Sequence, residues 1–568
     1  MIFLKLKSHK IFDDKEENTE LIKWMAGVTK PFYKDIVAIF LISLFSLCIS
    51  YASTIIGKYV VDDATTGIIN LRNMTYMGVG TAISIIISAA SRLIGDYINE
   101  NFSFGLRCKM YDNIQRSVWL KVKRLHTGDL LTRLTGDISI LSGGLISMLP
   151  QIILVAFQFI IAFAILFHYD KAMAVIAVII GPLGTVFSVL LRKKYKHYQL
   201  KLRESESDYR SFVQESLYNL TLTKSFQLED KNNETLESFR RERLRLVFKS
   251  TRLSVIMNSA SKLVYSIGYV VAFCWGAYRI SNGFITYGTL TVFITLVSQV
   301  QGSIGGIIGI VPQIYSMLIS GKRVYEIAEL EKEEYNAQKP IPKNIDVHIK
   351  DLSFAYERDT VLRNVTFDVK MGSKVGIIGH SGSGKTTLNR LLLGLIKPDA
   401  GSIVYSFENG EKELAGADSR RFISYVPQGN TLISGTIADN LRLGNENADE
   451  QMMTDALKTV DAWKFVSQLP EGLNTMLFEK SGGLSEGQAQ RIAIARALIA
   501  EKPILILDES TSALDEKTES VVLNNITDRY RSITCFIITH RTSMLKYCDR
   551  VIRIENGGTM AECANAAD

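Results

Sequence analysis

The stretch VGIIGHSGSGKTTL, residues 375–388, combines a short apolar run, a glycine-rich loop and the beginning of a helix. Its spacing, Gly379-x-x-x-x-Gly384-Lys385-Thr386, is the P-loop pattern in the strand–loop–helix context that the pattern requires. Glycines let backbone N–H groups turn toward phosphate oxygens, and the helix N-terminus adds a favourable dipole. The Lys385 ammonium group is predicted to contact the phosphates and offset their negative charge, and the Thr386 hydroxyl is predicted to ligate Mg²⁺. The predicted phosphate-binding residues are Gly379, His380, Ser381, Gly382, Ser383, Gly384, Lys385, Thr386 and Thr387.

A second apolar run, PILILDES at residues 503–510, ends in two adjacent carboxylates. Asp508 is predicted to lie on the Mg²⁺ side of the site, and Glu509 to orient and activate an attacking water. Paired acids also commonly end a buried strand at the protein surface. Their occurrence downstream of a P-loop favours the catalytic interpretation.

The first half of the chain is dominated by long apolar runs. We predict six membrane spans, each long enough to cross ~30 Å of hydrocarbon; they cover residues 36–57, 74–95, 144–167, 172–191, 254–278 and 288–310. The loops after the second and fourth spans are rich in lysine and arginine, so these loops and both termini are expected in the cytosol. The net charge of +7 follows this pattern, which is typical of a membrane protein, and no nucleic-acid partner is expected.

Composition also predicts the domain bounds. An N-terminal segment, residues 1–35, is expected to contain a helix lying at the lipid headgroups, and residues 36–320 form the transmembrane domain. A polar linker follows at residues 321–344. From residue 345 to 568, short β-rich runs alternate with helices, which is typical of an α/β domain.

With these motifs in place, the chain resembles an exporter-type ABC transporter, in which one transmembrane domain is fused to one nucleotide-binding domain. The resemblance covers nearly the whole chain and implies an α-helical six-span transmembrane domain followed by an α/β P-loop ATPase domain with a helical subdomain. Tyr356 in FAYERD matches the aromatic residue that stacks on adenine, Gln428 in YVPQGN the Q-loop glutamine, and His540 in IITHR the switch histidine. The resemblance thus implies catalytic roles for Glu509, His540 and Gln428, and Mg²⁺ ligation by Thr386, Gln428 and Asp508.

The stretch LSEGQ matches the family's signature motif, except that Glu486 stands where the family has glycine. The resemblance implies that Ser485, Gly487 and Gln488 bind ATP held by the P-loop of a second subunit, and that Asp515 in the D-loop SALD lies nearby. Ser485 and Gln488 also predict a capping box, which leaves Glu486 in the first helical turn beside a favourable dipole. We therefore expect the Glu486 carboxylate to point away from the phosphates and the site to remain active.

The expected function is ATP-driven transport, most simply export or flipping of an amphipathic or hydrophobic peptide, lipid or drug. An importer of the same fold and a non-transporting ATP-gated regulator are the alternatives. The implied partner is a second half-transporter subunit, with a homodimer favoured over a heterodimer by the intact motifs. A bacterial plasma membrane is the expected location, with the ATPase domain in the cytosol. Short coupling helices are implied near residues 110–117 and 210–217.

Several polar residues lie within the predicted spans. Gln151 and Gln158 are seven residues apart on one face of the third span, Gln299 and Gln301 lie in the sixth, and Lys262 lies near the cytosolic end of the fifth. Polar groups are costly in lipid, so these side chains are expected to face a substrate cavity or neighbouring helices. The sequence leaves both readings open.

Overall fold

The computed structural model describes residues 15–336, 339–356, 359–380, 382–478, 483–555 and 559–563. The chain divides into two compact units. We call Met1–Asn113 with His126–Glu329 the helical unit, and Ile114–Leu125 with Leu330–Asp568 the α/β unit. The domain bounds predicted from composition remain predictions.

Long helices make up the helical unit. In chain order, the helices up to residue 328 are α1 (Lys15–Thr29), α2 (Tyr33–Thr65), α3 (Leu71–Arg116), α4 (Trp119–Lys123), α5 (Thr127–Thr132), α6 (Ile138–Ser142), α7 (Leu149–Tyr169), α8 (Lys171–Tyr218), α9 (Leu220–Ser225), α10 (Glu229–Ser281) and α11 (Tyr287–Ala328). Turns of π-helix at Arg133–Asp137 and Gly143–Met148 connect α5, α6 and α7. Helix α4 belongs to the α/β unit.

Within the described residues, five helical stretches are long and apolar enough to cross a membrane; they are Asn18–Thr65, Leu71–Arg116, Thr127–Tyr169, Glu229–Ser281 and Tyr287–Ala328. They contain the first, second, third, fifth and sixth predicted spans. The fourth prediction falls in α8, where some side chains lie outside the described set and the described apolar segment, Lys171–Ile180, is shorter. The 46 residues of α3 would extend about 70 Å, so this helix is much longer than the hydrocarbon layer is thick.

Small and hydroxyl side chains let the helices of this unit approach closely. Ala162, Ala177 and Ala272 are fully buried in the core formed by α7, α8, α10 and α11. Between α2 and α3, Ser46 donates to the carbonyl oxygen of Ser84 at 2.8 Å. Such small residues and interhelical hydrogen bonds are what hold helices together in lipid, where hydrophobic burial gives little drive.

Asp170 joins the end of α7 to α8 and α10. Its Oδ1 accepts a hydrogen bond from the Met173 N–H at 3.0 Å and so caps α8. Its Oδ2 lies 3.1 Å from Arg279 Nε and accepts from Trp275 Nε1 at 3.4 Å. The carboxylate is buried, so these contacts take the place of hydrogen bonds to water.

We expect Asp170→Ala to destabilise the protein by about 2–4 kcal/mol, because it removes a helix cap and leaves the Arg279 guanidinium without its anion. The measurement is the thermal unfolding midpoint of the full-length protein in detergent. The matched control is Asp230→Ala, since Asp230 is an exposed acid in the first turn of α10. Equal midpoints for the two variants would contradict this account of Asp170.

The α/β unit alternates strands and helices. Its strands are β1 (Ile345–Tyr356), β2 (Asp359–Val369), β3 (Lys374–Gly379), β4 (Ala400–Phe407), β5 (Lys412–Leu414), β6 (Ile423–Val426), β7 (Gly435–Thr436), β8 (Met476–Leu477), β9 (Ile504–Asp508), β10 (Thr534–Ile538), β11 (Arg550–Ile554) and β12 (Met560–Cys563). Its further helices are α12 (Lys385–Leu392), α13 (Ile437–Arg442), α14 (Glu450–Thr459), α15 (Trp463–Val466), α16 (Glu486–Ile499) and α17 (Glu516–Arg529).

Within the described residues, the central sheet has the strand order β12-β11-β3-β10-β9-β6, and all its strands are parallel except β12. A second sheet, β2-β1-β4-β5, is antiparallel. Strands β9 and β10 are buried along their whole length, as expected when helices or a second sheet cover both faces of a parallel sheet. The predicted α/β fold with a helical subdomain is confirmed, with α13, α14 and α15 packing beside α16.

The stretches near residues 110–117 and 210–217, expected to form short coupling helices, instead continue the long helices α3 and α8. Residues up to Arg116 continue α3, and the short helix that follows is α4. The Val118 N–H donates to the Glu331 carbonyl at 2.8 Å, and the Glu333 N–H donates to the Arg116 carbonyl at 2.8 Å. These backbone hydrogen bonds attach the α4 segment to the chain that leads into β1.

Candidate functional site

The predicted site residues are brought together by the parallel strands of the central sheet. The carboxyl ends of parallel strands lie at one edge, where ligands of α/β proteins usually bind. Strand β3 runs into the P-loop, β9 ends at Asp508, β10 ends just before His540, and β6 ends just before Gln428. The strand ends are aligned, because Ile538 of β10 pairs with Asp508 of β9. Residues far apart in sequence therefore meet at one edge.

The P-loop begins where β3 ends and closes at the N-terminus of α12. Gly384 has a φ of +111°, and a Cβ there would come within 2.8 Å of Leu362. Lys385 is buried, and its Nζ donates to the carbonyl oxygens of Gly379 at 2.7 Å and His380 at 3.0 Å. An ammonium group has three donors, so one N–H of Lys385 is left for a phosphate oxygen.

The remaining predicted residues of this loop differ in their surroundings. Gly382 has a φ of +83° in an open position, Thr386 is exposed at the start of α12, and Thr387 is buried. The Ser383 hydroxyl is a buried oxygen without a hydrogen-bond partner among the described residues. Ser381 lies outside the described residues.

Asp508 is the buried carboxylate of the site. It accepts a hydrogen bond from the Tyr425 hydroxyl at 3.1 Å. Burial raises the pKa of the Asp508 carboxyl above its usual range, and the hydrogen bond from Tyr425 acts in the opposite direction. A divalent cation would replace the lost hydration of this carboxylate.

Glu509 follows Asp508 and has a φ of +48°, a backbone conformation that residues other than glycine rarely adopt. Its N–H donates to the Ile538 carbonyl at 3.0 Å, which fixes the turn after β9. Its Oε2 accepts from Gln428 Nε2 at 2.7 Å, and its Oε1 lies 3.9 Å from His540 Nδ1. The three predicted catalytic residues are therefore adjacent within one chain.

The signature stretch forms the N-terminus of α16, and the predicted capping box is confirmed. The Ser485 hydroxyl accepts from the Gln488 N–H at 3.3 Å, and Gln488 Oε1 accepts from the Ser485 N–H at 2.8 Å. Glu486 is exposed in the first turn. A Cβ at Gly487 would come within 2.8 Å of the Ala513 carbonyl, so only glycine lets the D-loop lie this close to the helix.

Tyr356 stands at the end of β1, outside the central sheet. Its ring packs edge-on against Phe354, with centroids 4.8 Å apart. Its hydroxyl accepts a hydrogen bond from Arg390 Nη1 at 2.9 Å. Arg390 belongs to α12, so the helix that begins at the P-loop also holds the tyrosine predicted to contact adenine.

Comparison with known proteins agrees with this geometry. Residues 35–304 match the ABC transporter transmembrane region, and residues 362–512 match the ABC transporter family. The two matches follow one another in a single chain and together cover most of it. The chain belongs to the ABC transporters. It is an integral membrane protein that couples ATP hydrolysis to transport.

Relatives of this ABC transporter match it from end to end. It is 27% identical over 559 residues to an ATP-dependent lipid A-core flippase of Desulfotalea psychrophila, covering 96% of each chain. It is 26% identical over 556 residues to a putative multidrug export ATP-binding/permease protein of Staphylococcus aureus, covering 94% of this chain and 95% of the relative. A solved bacterial Atm1-family ABC exporter with ATP bound superposes with a TM-score of 0.78 at 22% identity, covering 93% of this chain and 95% of the other. The fold is therefore of the exporter type.

The helical unit of the transporter contains a cavity of about 790 Å³ between α2, α3 and α7, which is lined by both polar and apolar side chains. Gln151 and Gln158 line it, together with serines of α2 and α3 and with Arg92. The other polar residues singled out from sequence lie elsewhere. Gln301 is buried against Gly268 of α10, and a Cβ added at Gly268 would overlap the Gln301 side chain. Lys262 is exposed.

No sequence pattern indicates the residues that hold the D-loop in place. Gln490 of α16 accepts from the Ala513 N–H at 3.1 Å. Arg541 Nη2 donates to the Ser512 carbonyl at 2.7 Å and Nη1 to the Leu514 carbonyl at 3.1 Å, and Nη1 also lies 3.4 Å from the buried Glu519 carboxylate. The D-loop is thus fixed both to the signature helix and to the residue that follows His540.

Asp515, predicted to lie near nucleotide, caps α17 in this chain. The Thr518 N–H donates to its Oδ2 at 3.0 Å, and this backbone hydrogen bond holds the pKa of the Asp515 carboxyl below its usual range. The position of Asp515 is therefore determined by helix capping.

We expect Arg541→Met to destabilise the protein by about 2–4 kcal/mol, because it frees the D-loop carbonyls and leaves the buried Glu519 carboxylate unpaired. The measurement is the unfolding midpoint of the full-length transporter. As the control, Arg541→Met combined with Glu519→Gln should be less damaging than the sum of the two single changes. Simple additivity would show that the two side chains do not interact.

Proposed function

We propose that this ABC transporter works as a dimer that exports or flips an amphipathic or hydrophobic substrate, with ATP and Mg²⁺ bound between the P-loop of one subunit and the signature motif of the other. The observation that carries the proposal is the meeting of Lys385, Asp508, Glu509 and Gln428 at one sheet edge. Groups for binding phosphate, holding a cation and accepting a proton are all present there.

The residues of the site offer the oxygen ligands that Mg²⁺ requires. This ion prefers oxygen ligands and is usually held by one or two carboxylates together with substrate phosphates. The buried Asp508 carboxylate, the exposed Thr386 hydroxyl and the Gln428 amide oxygen would hold it. Bound there, Mg²⁺ would neutralise charge that develops on the β- and γ-phosphates.

Glu509 would act as the base. Its carboxylate is fixed by the Gln428 amide and lies beside His540, so it can accept a proton from a water aimed at the γ-phosphate. The unusual φ of Glu509 supports the same role, because strained backbone is retained where a side chain must be aimed. Lys385, held at the P-loop by the Gly379 and His380 carbonyls, would bind the phosphates.

The dimer is supported by how the signature helix is connected. The Ser485–Gln488 box leaves the first turn of α16 exposed, while Gly487 and Gln490 bind it to the D-loop. The D-loop is in turn held by Arg541, which follows His540. A phosphate bound at this signature by another subunit would therefore be linked, through the D-loop, to the hydrolytic residues of this chain. The retained motifs favour a homodimer.

The substrate class is supported by the mixed polar and apolar cavity between α2, α3 and α7 and by two relatives, one named an ATP-dependent lipid A-core flippase and one a putative multidrug export ATP-binding/permease protein. A cavity with hydroxyl and amide groups, opening among apolar helices, suits a molecule with a polar head and an apolar body. The basic loops support cytosolic termini and a cytosolic ATPase in a bacterial plasma membrane.

The test is the ATPase rate of the chain purified alone into lipid. We expect cooperative hydrolysis by the wild type and a loss of at least about 100-fold in kcat for Glu509→Gln, with ATP still bound. Glu516→Gln, an exposed acid in the first turn of α17, is the matched control and should keep the wild-type rate.

The variant Glu486→Gly distinguishes an inhibitory effect of the signature glutamate from the need for a different partner subunit. If the wild type is inactive and Glu486→Gly restores hydrolysis, the chain forms its own dimer and Glu486 limits closure. If both are inactive, the homodimer is wrong and the competent site needs a different subunit. An active Glu509→Gln would overturn the assignment of the base.

The pH dependence of Mg²⁺ affinity follows from protonation of the Asp508 carboxylate. Because its pKa is raised, protonation removes the Mg²⁺ ligand at a higher pH than for an ordinary aspartate. Tyr425→Phe removes the hydrogen bond that favours the carboxylate, so the loss of Mg²⁺ affinity on acidification should move to still higher pH. The measurement is the Mg²⁺ concentration for half-maximal ATPase activity as a function of pH.

The control for this prediction is Tyr530→Phe. The Tyr530 carbonyl accepts from Lys374 Nζ at the amino-terminal end of β3, opposite the P-loop. This variant should keep the wild-type pH profile. Identical profiles for Tyr425→Phe and the wild type would show that Asp508 does not control the acid limb.

A further inference from the structure

Helix α4 contributes an aromatic side chain to the α/β unit. Trp119 is half-buried and packs against the core beneath β1 and α12. The centroid of its ring lies 5.1 Å from the Arg390 guanidinium carbon and 4.7 Å from Lys123 Nζ. Both distances are within the range of a cation–π interaction.

Arg390 therefore makes two direct contacts of different kinds. Its planar guanidinium lies over the Trp119 ring, while its Nη1 donates to the Tyr356 hydroxyl. Arginine suits this arrangement because one flat group stacks and donates at once, which a lysine ammonium cannot do. Stacking restricts the guanidinium, and the restricted guanidinium fixes the tyrosine hydroxyl.

The Tyr356 ring depends on this restraint. Phe354 contacts it edge-on from one side. Beside Tyr356, Trp119 and Arg390 lies a cavity of about 1150 Å³, so packing alone leaves room for the ring to turn. The hydrogen bond from Arg390 is the contact that holds the far end of the ring.

We propose that Arg390 and Trp119 are positioning residues for the nucleotide base, which fix the plane of Tyr356 for stacking on adenine. This inference rests on the adenine contact proposed for Tyr356. Stacking needs two parallel planes, so a ring that rotates freely loses affinity for a base without losing any contact to phosphate.

The arrangement also connects base binding to the transmembrane helices. Trp119 follows α3 in the chain, and α5 begins shortly after α4, so Trp119 belongs to a segment that is covalently joined to the helical unit at both ends. A displacement of this segment would move the Trp119 ring away from Arg390. Affinity for the base then depends on a residue outside every ATP motif.

The experiment compares two ligands that differ in the base. The apparent affinity for ATP and the inhibition constant of inorganic tripolyphosphate, which has no base, are measured on the full-length transporter in lipid. Tyr356→Ala should weaken ATP about tenfold and leave tripolyphosphate unchanged. Trp119→Ala and Arg390→Met should weaken ATP about three- to tenfold and leave tripolyphosphate within about twofold of the wild type. Trp119→Ala should also keep kcat at saturating ATP within about twofold, whereas Arg390→Met also removes a positive charge that favours the ionised Asp508 carboxylate.

Further variants keep the test informative if one of these folds poorly. Trp119→Phe retains an aromatic face and should recover most of the ATP affinity. Lys123→Met is the matched control, because Lys123 contacts the same ring from an exposed position and makes no hydrogen bond or cation–π contact to Tyr356 among the described residues. Trp119→Ala combined with Tyr356→Ala should be no weaker than Tyr356→Ala alone.

The outcomes separate the two proposals. If Tyr356→Ala weakens both ligands equally or neither, the adenine contact is wrong and this inference is overturned with it. If Tyr356→Ala acts on ATP alone but Trp119→Ala and Arg390→Met have no effect, only this inference is overturned. Equal weakening of both ligands by Arg390→Met would show that Arg390 acts on the phosphates, and an effect of Lys123→Met equal to that of Trp119→Ala would show that the ring is not the cause.

Discussion

The parallel pairing of β3, β10, β9 and β6 is the constraint on which the ATP site depends. Side chains alternate between the two faces of a strand, so a slip of one residue would move Asp508 to the opposite face. The pairing of Asp508 with Ile538, and the hydrogen bond from the Glu509 N–H to the Ile538 carbonyl, fix this register at the strand end. The sheet core therefore determines where the carboxylates stand, and their chemistry follows from that position.

A second level of order comes from contacts that join the motifs to each other. Gln490 and Arg541 hold the D-loop between the signature helix and the switch histidine, and Arg390 joins the P-loop helix to Tyr356. Each contact uses a charged or amide group with several donors or acceptors, so loss of one leaves a polar group unsatisfied. Motifs that are proposed to bind different parts of the nucleotide are thus connected by hydrogen bonds within one subunit.

These two levels explain what could be predicted from sequence. The P-loop, the paired carboxylates and the capping box are local patterns, because neighbouring residues alone determine phosphate cradling, strand ends and helix caps. Arg390, Gln490 and Arg541 are ordinary residues on regular elements, and they gain their roles from partners that only the tertiary fold brings near. The same reason explains α4: its short sequence has no feature that assigns it to the α/β unit, since the hydrogen bonds that do so reach more than 200 residues along the chain.

Glu486 shows how a local rule and a tertiary requirement can act at different stages. In the subunit alone, its carboxylate is exposed at the N-terminus of α16, where the helix dipole favours negative charge and water screens it. Closure of a dimer around ATP would remove part of that water and bring a triphosphate to the same helix end. Like charges at ~4 Å repel by about 4 kcal/mol at an effective dielectric of about 20, so the penalty depends on which way the side chain turns. Any cost of Glu486 therefore falls on ATP-driven closure and leaves the fold of the subunit untouched.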